Sequence, residues 1–379
     1  MADFMKIGID ARFYGPESKG LGRYTEQLIK NLEQSDTHNT YIIFLRRENF
    51  DTYVPANDRF VKVLADYRWY SLAEQLFFPL ALLRAHCDIV HFPHFNVPLL
   101  YRKPFIVTIH DLILLRYPTL RATTLNPFFY WIKFLAYKVV IRSAIKRARA
   151  IIAVSNFTRR DILTHYKVKD PAKVVVTYEA ACDALRLGKK ALRNVLQKYG
   201  IMKPYILYVG NAYPHKNLSR FIRAFLASSI VTTHKLILVG KDDFFYKRLM
   251  REVTAIGGDD VIRMVPSIAD WELHALYAQA DAFVFSSLYE GFGLPPLEAM
   301  LHDCPVATSD ASCLPEIVGD AALLFDARRT EFITDAINSI VYDSALRKRL
   351  IRAGRQHALQ YSWQRMARET LSVYENVRK

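Results

Sequence analysis

The sequence predicts an α/β protein built from two doubly wound domains with parallel sheets. Short apolar runs alternate with helical patterns along the chain, which is typical of parallel strands that helices cover on both faces. This series starts again near the middle of the 379 residues, and a domain commonly takes ~150 residues. Two sheets therefore account for the pattern better than one very wide sheet.

The first predicted domain covers residues 1–183 and holds the earlier group of apolar runs. A helix pattern over about Tyr24–Leu32 follows the first of these runs. The candidate strands are Ile7–Asp10, Tyr41–Leu45, Asp88–His91, Phe105–Ile109, Ala150–Val154 and Lys173–Thr177.

The second predicted domain covers residues 184–360, and a helix pattern over Ala191–Lys198 opens it. Its candidate strands are Tyr205–Val209, Lys235–Val239, Val261–Val265, Ala282–Phe285 and Cys304–Ala307. Ligands of doubly wound sheets sit at the carboxyl ends of the strands, so two such domains that face each other would enclose a cleft.

Composition and charge restrict the class of protein. The chain has 52 Lys and Arg against 37 Asp and Glu, a net charge of +15. This excess indicates a polyanionic partner, which is nucleic acid, a phosphorylated ligand or an anionic membrane, unless it is only a basic background. The four cysteines form no Cys-x-x-Cys pair, so neither a zinc site nor a disulfide framework is expected.

We expect a cytoplasmic protein that does not span the membrane. The N-terminus has no signal-peptide pattern. The longest apolar run, near Leu76–Leu83, is interrupted by Pro79 and is far shorter than the ~20 residues of a spanning helix.

The segment after the strand Ala282–Phe285 has the strongest functional pattern. Glu290 and the run Gly291–Gly293 form a loop, and a helix begins near Pro295 or Pro296. Glycines allow backbone N–H groups to approach a ligand, and a helix N-terminus favours negative charge, so the pattern predicts a phosphate site. Glu290 and Glu298 could each accept hydrogen bonds from hydroxyls of one ligand. The alternative is an ordinary helix start with Glu298 as an N-terminal charge.

Glu290–Glu298 resembles the Glu-x7-Glu motif of family 4 glycosyltransferases, group 1 type. Other segments resemble that family in the same order: Ile9–Arg12 with Gly20–Tyr24, Ala153–Thr158, Tyr208–Gly210 with Lys216 and Asn217, Cys304–Glu316 and Gly319–Phe325. The resemblance implies a GT-B fold, two Rossmann-like domains facing a cleft, and sugar transfer with retention of anomeric configuration. It also implies that the last helix, within residues 361–379, crosses back to the first domain.

The resemblance also implies roles for individual residues. Glu290 lies near the hydroxyls of the transferred sugar, and Glu298 holds the ribose hydroxyls, as a carboxylate can accept two hydroxyl donors. Lys216 contacts the donor diphosphate and stabilises the leaving group. The donor-binding residues are Gly20, Gly22, Gly210, Asn211, Lys216, Val265, Pro266, Glu290, Gly291, Phe292, Gly293, Leu294 and Glu298.

One cationic position departs from the family pattern. Many relatives carry an arginine directly after the glycine of the strand, where this chain has Asn211. The second cation that holds the diphosphate is therefore unassigned. The candidates for it are Arg12, Arg23 and His215.

Histidines follow two of the predicted strands in the first domain. The resemblance assigns His110 to the active site, near the transferred sugar, with Asp111 either orienting its ring or capping the next turn. His91 and His94 lie at the end of the preceding strand and either line the acceptor side or are structural. The predicted catalytic residues are therefore His110, Glu290 and Lys216.

No metal or cofactor is expected. The chain has no Asp-x-Asp motif, which other glycosyltransferases use to hold a divalent metal at the leaving diphosphate. Cationic side chains and helix dipoles must then stabilise the diphosphate.

The stretch 112–160 is basic and aromatic and contains no acidic residue. Its ten basic residues are Arg116, Arg121, Lys133, Lys138, Arg142, Lys146, Arg147, Arg149, Arg159 and Arg160. A helix from Asn126 and Pro127 would place Phe128, Ile132, Leu135 and Val139 on an apolar face, with Lys138, Arg142, Lys146 and Arg149 on another. This pattern predicts contact with an anionic membrane surface. The alternative is a core-packed helix with a solvated basic face. Nucleic acid is not expected, since no binding motif accompanies the charge.

Together these observations predict a retaining enzyme that moves a hexose from a nucleotide diphosphate sugar to a cell-envelope glycan or a lipid-linked acceptor. Ile9–Arg12 with Gly20–Tyr24 leans towards mannosyltransferase-like relatives, so GDP-mannose is the preferred donor and a UDP-sugar the next. The enzyme would act peripherally on the inner face of the cytoplasmic membrane. The alternatives are a GT-B nucleotide-sugar epimerase or phosphorylase and a catalytically silent sugar-nucleotide-binding protein.

Overall fold

The computed structural model describes residues 4–15, 19–118, 126–181, 187–266 and 268–378. The chain divides into two compact units. Unit 1 consists of Met1–Leu112, Pro127–Glu179 and Ser362–Lys379, and unit 2 of Ile113–Asn126 and Ala180–Tyr361. The boundary predicted between residues 183 and 184 lies outside the described residues.

The first half of the chain alternates strands and helices. Its strands are β1 (Lys6–Asp10), β2 (Thr40–Leu45), β3 (Phe60–Leu64), β4 (Ile89–Phe92), β5 (Phe105–Ile109), β6 (Ala150–Ala153) and β7 (Val174–Val176). Its helices are α1 (Lys19–Ser35), α2 (Arg47–Phe50), α3 (Leu72–Arg84), α4 (Ile113–Arg116), α5 (Pro127–Arg147) and α6 (Asn156–Tyr166). Of these, α4 belongs to unit 2.

The second half repeats this alternation. Its strands are β8 (Tyr205–Val209), β9 (Lys235–Gly240), β10 (Ile262–Pro266), β11 (Ala282–Phe285), β12 (Val306–Ser309) and β13 (Leu323–Phe325). Its helices are α7 (Lys189–Lys198), α8 (Leu218–Leu226), α9 (Phe244–Ala255), α10 (Asp270–Gln279), α11 (Leu294–Leu301), α12 (Leu314–Val318), α13 (Thr330–Tyr342), α14 (Ser344–Ala358) and α15 (Trp363–Arg378). The last of these, α15, belongs to unit 1.

Each unit has one parallel sheet, which confirms the predicted fold class. Unit 1 has a seven-stranded sheet in the order β3-β2-β1-β4-β5-β6-β7, and unit 2 a six-stranded sheet in the order β10-β9-β8-β11-β12-β13. The central strands are apolar and buried because helices cover both sheet faces. The strand order reverses between β1 and β4 in unit 1 and between β8 and β11 in unit 2. Such switch points open a crevice at the carboxyl ends of the strands.

The handedness of the connections distributes the helices of unit 1. Crossovers between parallel strands are right-handed in nearly all proteins. The connections through α3 and α5 run across the sheet in the same direction, whereas the connection through α1 runs in the opposite one. Helices α3 and α5 therefore cover one face of the sheet, and α1 covers the other, where it packs against α15.

The sequence analysis missed two strands and placed the starts of two other elements wrongly. The strands β3 and β13 were not predicted, because β3 is a half-exposed edge strand and β13 has only three residues. The strand predicted over Cys304–Ala307 is β12, which begins only after Pro305, a residue without the N–H that strand pairing needs. Helix α1 begins at Lys19 and not near Tyr24 as predicted, so Gly20 and Gly22 lie in its first turn.

Candidate active site

Two loops of unit 2 meet at the switch point of its sheet. One follows β8 and ends in a 3-10 turn, Pro214–Lys216, and the other follows β11. The backbone N–H of Leu288 donates to His215 O at 2.7 Å, and Ser286 Oγ donates to Lys216 O at 3.0 Å. These bonds hold Lys216 against the second loop.

Lys216 and Glu290 form a buried ion pair between these loops. Lys216 Nζ lies 2.5 Å from Glu290 Oε1, and the two side chains are only 12% and 11% exposed. The Lys216 ammonium also lies 5.5 Å from the centre of the Phe285 ring. Poor hydration strengthens the attraction between the two charges and makes either charge costly without the other. Both residues were predicted from the sequence as site residues, but their contact with each other was not.

The glycine-containing loop leads directly into α11. Gly293, the last residue before the helix, has φ +103°, and a Cβ there would lie 2.8 Å from Leu314 Cδ2. Only glycine fits this backbone without strain. Leu294 begins the helix, two prolines follow in its first turn, and Cys313 Sγ lies 2.9 Å from Phe292 O. Gly291 lies at the start of this buried loop.

Glu298 is held by a residue that the sequence did not identify. The hydroxyl of Tyr277, on α10, donates to Glu298 Oε2 at 2.9 Å. His302 Nδ1 donates to the backbone oxygen of Glu298 at 2.7 Å, and the Tyr277 ring stacks on the His302 ring. Tyr277 lies on a different helix from Glu298, so no sequence periodicity indicates their contact. It arises from tertiary packing.

The remaining donor-site candidates of unit 2 lie at the carboxyl ends of neighbouring strands. Gly210 and Asn211 directly follow β8, and Asn211 O accepts a hydrogen bond from Tyr208 at 3.1 Å. Val265 and Pro266 end β10, where Val265 is buried and Pro266 exposed. The strand order places β9 between these two groups.

The structure disfavours two of the three candidates for the second cation. Burial and the charge of Lys216 lower the pKa of His215 to about 4, so this imidazole is neutral at neutral pH. Arg12 is fully buried and its guanidinium contacts Asp10 and Glu74. It also donates to Tyr67 O at 3.1 Å and is therefore committed to the core of unit 1. Arg23, on α1, stays a candidate.

His110, at the carboxyl end of β5, has acceptors on both ring nitrogens. Nδ1 lies 2.8 Å from Glu179 Oε1, and Nε2 lies 2.9 Å from Pro93 O. A carbonyl oxygen can only accept, so Nε2 carries a proton, and the Glu179 carboxylate favours a second one on Nδ1. Burial opposes this charge, but the bonds and charges of Glu179, Pro93 and Asp111 outweigh it and raise the pKa of His110. The sequence did not identify Glu179, which lies far along the chain.

The two preceding histidines have different surroundings. His91 is completely buried, with Nδ1 2.6 Å from the hydroxyl of Tyr374 and Nε2 2.8 Å from Thr108 Oγ1. It is a core residue, so the suggestion that it lines an acceptor site was wrong. Burial lowers the pKa of His94 to about 3, and its Nδ1 is without a hydrogen-bond partner among the described residues.

Aromatic rings surround His94. The Phe13 ring lies 5.2 Å from it, and the Phe95 ring lies 4.0 Å from it. The exposed ring of Tyr70 lies 6.3 Å from it, and Tyr70 has φ +61°, a conformation that a bulky residue rarely adopts. Strain of this kind is retained mainly where it has a use.

The structure gives two further negative findings for the residues it describes. Within 4–15, 19–118, 126–181, 187–266 and 268–378, no helix is both long and apolar enough to cross a membrane. The same ranges contain no cluster of three or more His, Cys, Asp or Glu side chains arranged to hold a metal ion.

Comparisons with known proteins agree with this geometry. The family described as Glycosyl transferases group 1 matches residues 192–357, and Glycosyltransferase Family 4 matches residues 18–180. The chain is 28% identical to O-antigen chain mannosyltransferase B of Escherichia coli, over 94% of this chain and 96% of that protein. It is 29% identical to O-antigen chain mannosyltransferase RfbU of Salmonella typhimurium, over 63% of this chain and 65% of that protein. Sucrose-phosphate synthase from Thermosynechococcus elongatus has a similar structure, with a TM-score of 0.76, 18% identity and coverage of 98% and 99%.

Two parallel sheets, each with flanking helices and a switch point, define the GT-B class of fold. The chain belongs to the family 4, group 1 glycosyltransferases, and it is a retaining glycosyltransferase. Family membership confirms the resemblance of the motifs. It also decides for glycosyl transfer over the epimerase, phosphorylase and silent-binding alternatives.

Proposed function

We propose that this enzyme transfers a mannosyl group from GDP-mannose, with a UDP-sugar as the next candidate donor, to a cell-envelope glycan or a lipid-linked acceptor. The observation that carries the proposal is the buried Lys216–Glu290 pair at the switch point of the unit 2 sheet. The choice of mannose follows the two O-antigen mannosyltransferases to which the chain is similar. Transfer to an envelope glycan follows the same two relatives.

Each end of the donor has a group suited to it. Lys216 neutralises charge that develops on the leaving diphosphate, and the start of α11 contributes the backbone N–H groups of Gly293 and Leu294, since the two prolines that follow have none. Glu290 aligns Lys216 and accepts hydrogen bonds from hydroxyls of the transferred sugar. Glu298 holds the ribose, and its bond to Tyr277 fixes the orientation of the carboxylate. The leaving phosphate accepts the proton of the attacking hydroxyl on the same face of the sugar.

His110 acts as a fixed positive charge in this proposal and not as a general base. Both of its ring nitrogens donate to groups of its own unit, and its pKa is raised. An imidazolium whose protons are both engaged cannot remove a proton from an acceptor. Its charge instead stabilises negative charge near the transferred sugar, and Glu179 is the residue that positions it.

The acceptor is proposed to contact the aromatic cluster around His94 in unit 1. The exposed Tyr70 ring offers an apolar face for a sugar. His94 Nδ1 lies buried beneath this cluster, without a hydrogen-bond partner among the described residues. Tyr70→Ala should raise the KM for the acceptor and leave donor affinity unchanged. An unchanged acceptor KM would remove Tyr70 from the acceptor site.

The basic stretch 112–160 suggests that the acceptor is reached at an anionic membrane surface. The side chains of helix α5 that are turned inward are Tyr130, Tyr137, Ile141, Ala144 and Ile145. The side chains of Ile132, Leu135 and Val139, on the apolar face that the sequence predicts, are exposed. Apolar side chains among exposed lysines and arginines favour the membrane over the core-packed alternative.

A thermal-shift screen across GDP-, UDP-, ADP- and dTDP-sugars tests the donor. GDP-mannose should raise the melting temperature most, because a ligand that binds only the folded state stabilises it. Glu298→Ala should abolish the shift, and Tyr277→Phe should weaken it by loss of one hydrogen bond to a charged group, about 1.5–3 kcal/mol. If Glu298→Ala left the shift intact, the assignment of Glu298 to the ribose would be wrong.

A further inference from the structure

Helix α3 of unit 1 has apolar side chains on its outer side as well as its inner side. Its inner residues Phe78 and Leu82 are buried, and the Phe78 ring meets the Phe44 ring of β2 at 5.8 Å. Its outer apolar side chains are 40–81% exposed and comprise Leu72, Leu76, Phe77, Leu80 and Leu83. Most of them recur at helical spacing and so form one continuous stripe. A water-exposed helix face normally carries charged and polar residues.

The N-terminal half of α5 is exposed in the same way. Its packed edge consists of Tyr130, Phe134 and Tyr137, which recur three or four residues apart. The exposed apolar side chains on the rest of its circumference include Phe129, Trp131, Ile132, Leu135 and Val139, which are 49–62% exposed. An exposed apolar surface of this extent marks a site of interaction.

The segment 98–101 links the two helices. Leu99 N donates to the side chain of Gln75 on α3 at 2.9 Å. Arg147, at the end of α5, donates to Leu99 O at 2.8 Å and to Tyr101 O at 2.9 Å. Leu100, between these anchored residues, is exposed. The handedness of the crossovers places α3 and α5 on the same face of the sheet, so the three elements are neighbours on one side of unit 1.

We propose that α3, Leu100 and α5 form one docking surface for an anionic phospholipid bilayer. The inference rests on the proposed membrane location and adds α3 and Leu100, which the sequence did not indicate. The apolar side chains would enter the boundary between headgroups and acyl chains. The exposed basic side chains of α5, which are Lys133, Lys138, Arg142 and Lys146, would contact anionic headgroups.

The positive charge of this surface favours an anionic bilayer over a second copy of the chain as its binding partner. The stretch 112–160 contains no acidic residue. A symmetric dimer through this surface would bring the lysines and arginines of two α5 helices together, and like charges repel. An anionic bilayer instead offers opposite charge together with an apolar layer, and both match the side chains of this surface.

Vesicle flotation of the full chain tests the proposal. Vesicles of phosphatidylcholine alone are compared with vesicles that also contain phosphatidylglycerol. The variants are Leu76→Glu on α3, Leu135→Glu on α5 and, as a matched control, Val54→Glu at an exposed position of unit 1 between β2 and β3. The variants with Leu76→Ala and Leu135→Ala repeat the test without a new charge, and circular dichroism verifies folding.

The expected result is binding to the anionic vesicles only, weakening as salt is added. Leu76→Glu and Leu135→Glu should each reduce binding on the order of tenfold or more, since each replaces a leucine that would enter the bilayer by a carboxylate that anionic headgroups repel. Val54→Glu should bind as the unchanged protein does. Quenching of Trp131 fluorescence by brominated lipid should accompany binding and be absent in Trp131→Phe.

Three results would overturn the proposal. If only Leu135→Glu weakened binding, α3 would not be part of the surface, although the proposed membrane location would stand. If the unchanged protein bound neither kind of vesicle, both would be wrong. If it formed a dimer in solution that Leu76→Glu dissociated, and did not bind vesicles, a second copy would be the occupant. None of these results depends on the donor or on catalysis.

Discussion

Substitutions in the ion pair between Lys216 and Glu290 can distinguish its contribution to stability from its contribution to catalysis. Both side chains are nearly nine-tenths buried and lie 2.5 Å apart. Lys216→Met leaves the Glu290 carboxylate without its partner in a poorly hydrated place, and Glu290→Gln does the same to the ammonium. Breaking a buried pair by removing one partner costs about 3–5 kcal/mol of unfolding free energy.

The double variant Lys216→Met, Glu290→Gln should recover most of that loss. It leaves no isolated charge, and replacing both members of a buried pair by neutral groups is often close to neutral in unfolding free energy. Activity should behave differently. Loss of one charge that stabilises the leaving group lowers kcat by roughly 10²–10³-fold, and the second substitution cannot restore it.

Urea unfolding and nucleotide release measure the two quantities on the same four proteins. Arg223→Met is a control, because the Arg223–Glu252 pair of unit 2 is 62% and 32% exposed and should contribute less than about 1 kcal/mol. A double variant destabilised by the sum of the two single losses would show that the pair is not coupled. Recovery of kcat in the double variant would refute the role of Lys216 at the leaving group.

Three further predictions concern other parts of the site. Glu179→Gln should lower the pKa of His110. In urea unfolding the variant should be less stable than the unchanged protein below pH ~6.5, where His110 is charged in both the folded and the unfolded state, and this difference should shrink as pH rises through the raised pKa. Glu369→Gln, which removes one member of a partly exposed ion pair, should show no such pH dependence. Gly293→Ala should reduce stability by about 1–3 kcal/mol and weaken the thermal shift by the donor, whereas Gly257→Ala, with φ +70° but open space at its Cβ, should affect stability alone. Turnover should be unchanged by EDTA, and a loss that Mg²⁺ reversed would contradict the metal-independent mechanism.

Helix α5 shows what the hydrophobic pattern of the sequence could predict and what it could not. The pattern located the helix correctly, because proline at its start and helical spacing are local properties. It could not say which face was inward, since the helix has apolar residues almost all round. Tyr137, whose ring lies 4.8 Å from that of Phe95, and Ile141 are buried, whereas Leu135 and Val139 lie in water.

The cationic residues of the donor site could likewise be predicted only in part from the sequence. The positions of the strands and of the loops between them follow from periodicity, and Lys216 and Glu290 could be recognised as donor-site residues from their motifs. Periodicity does not show how deeply these side chains are buried or which side chains they contact. Only the folded chain showed that Arg12 is held by Asp10 and Glu74, and that His215 is neutral.

The sequence by itself determined the two parallel sheets, the family and the loop between Glu290 and Glu298. These features are encoded in short runs of neighbouring residues, where spacing and turn chemistry act locally. Only the tertiary structure decided the partners: Glu290 with Lys216, Glu298 with Tyr277, and His110 with Glu179. Each pair joins residues far apart in the chain, so its charge state and orientation arise only when strands become neighbours and water is excluded between them.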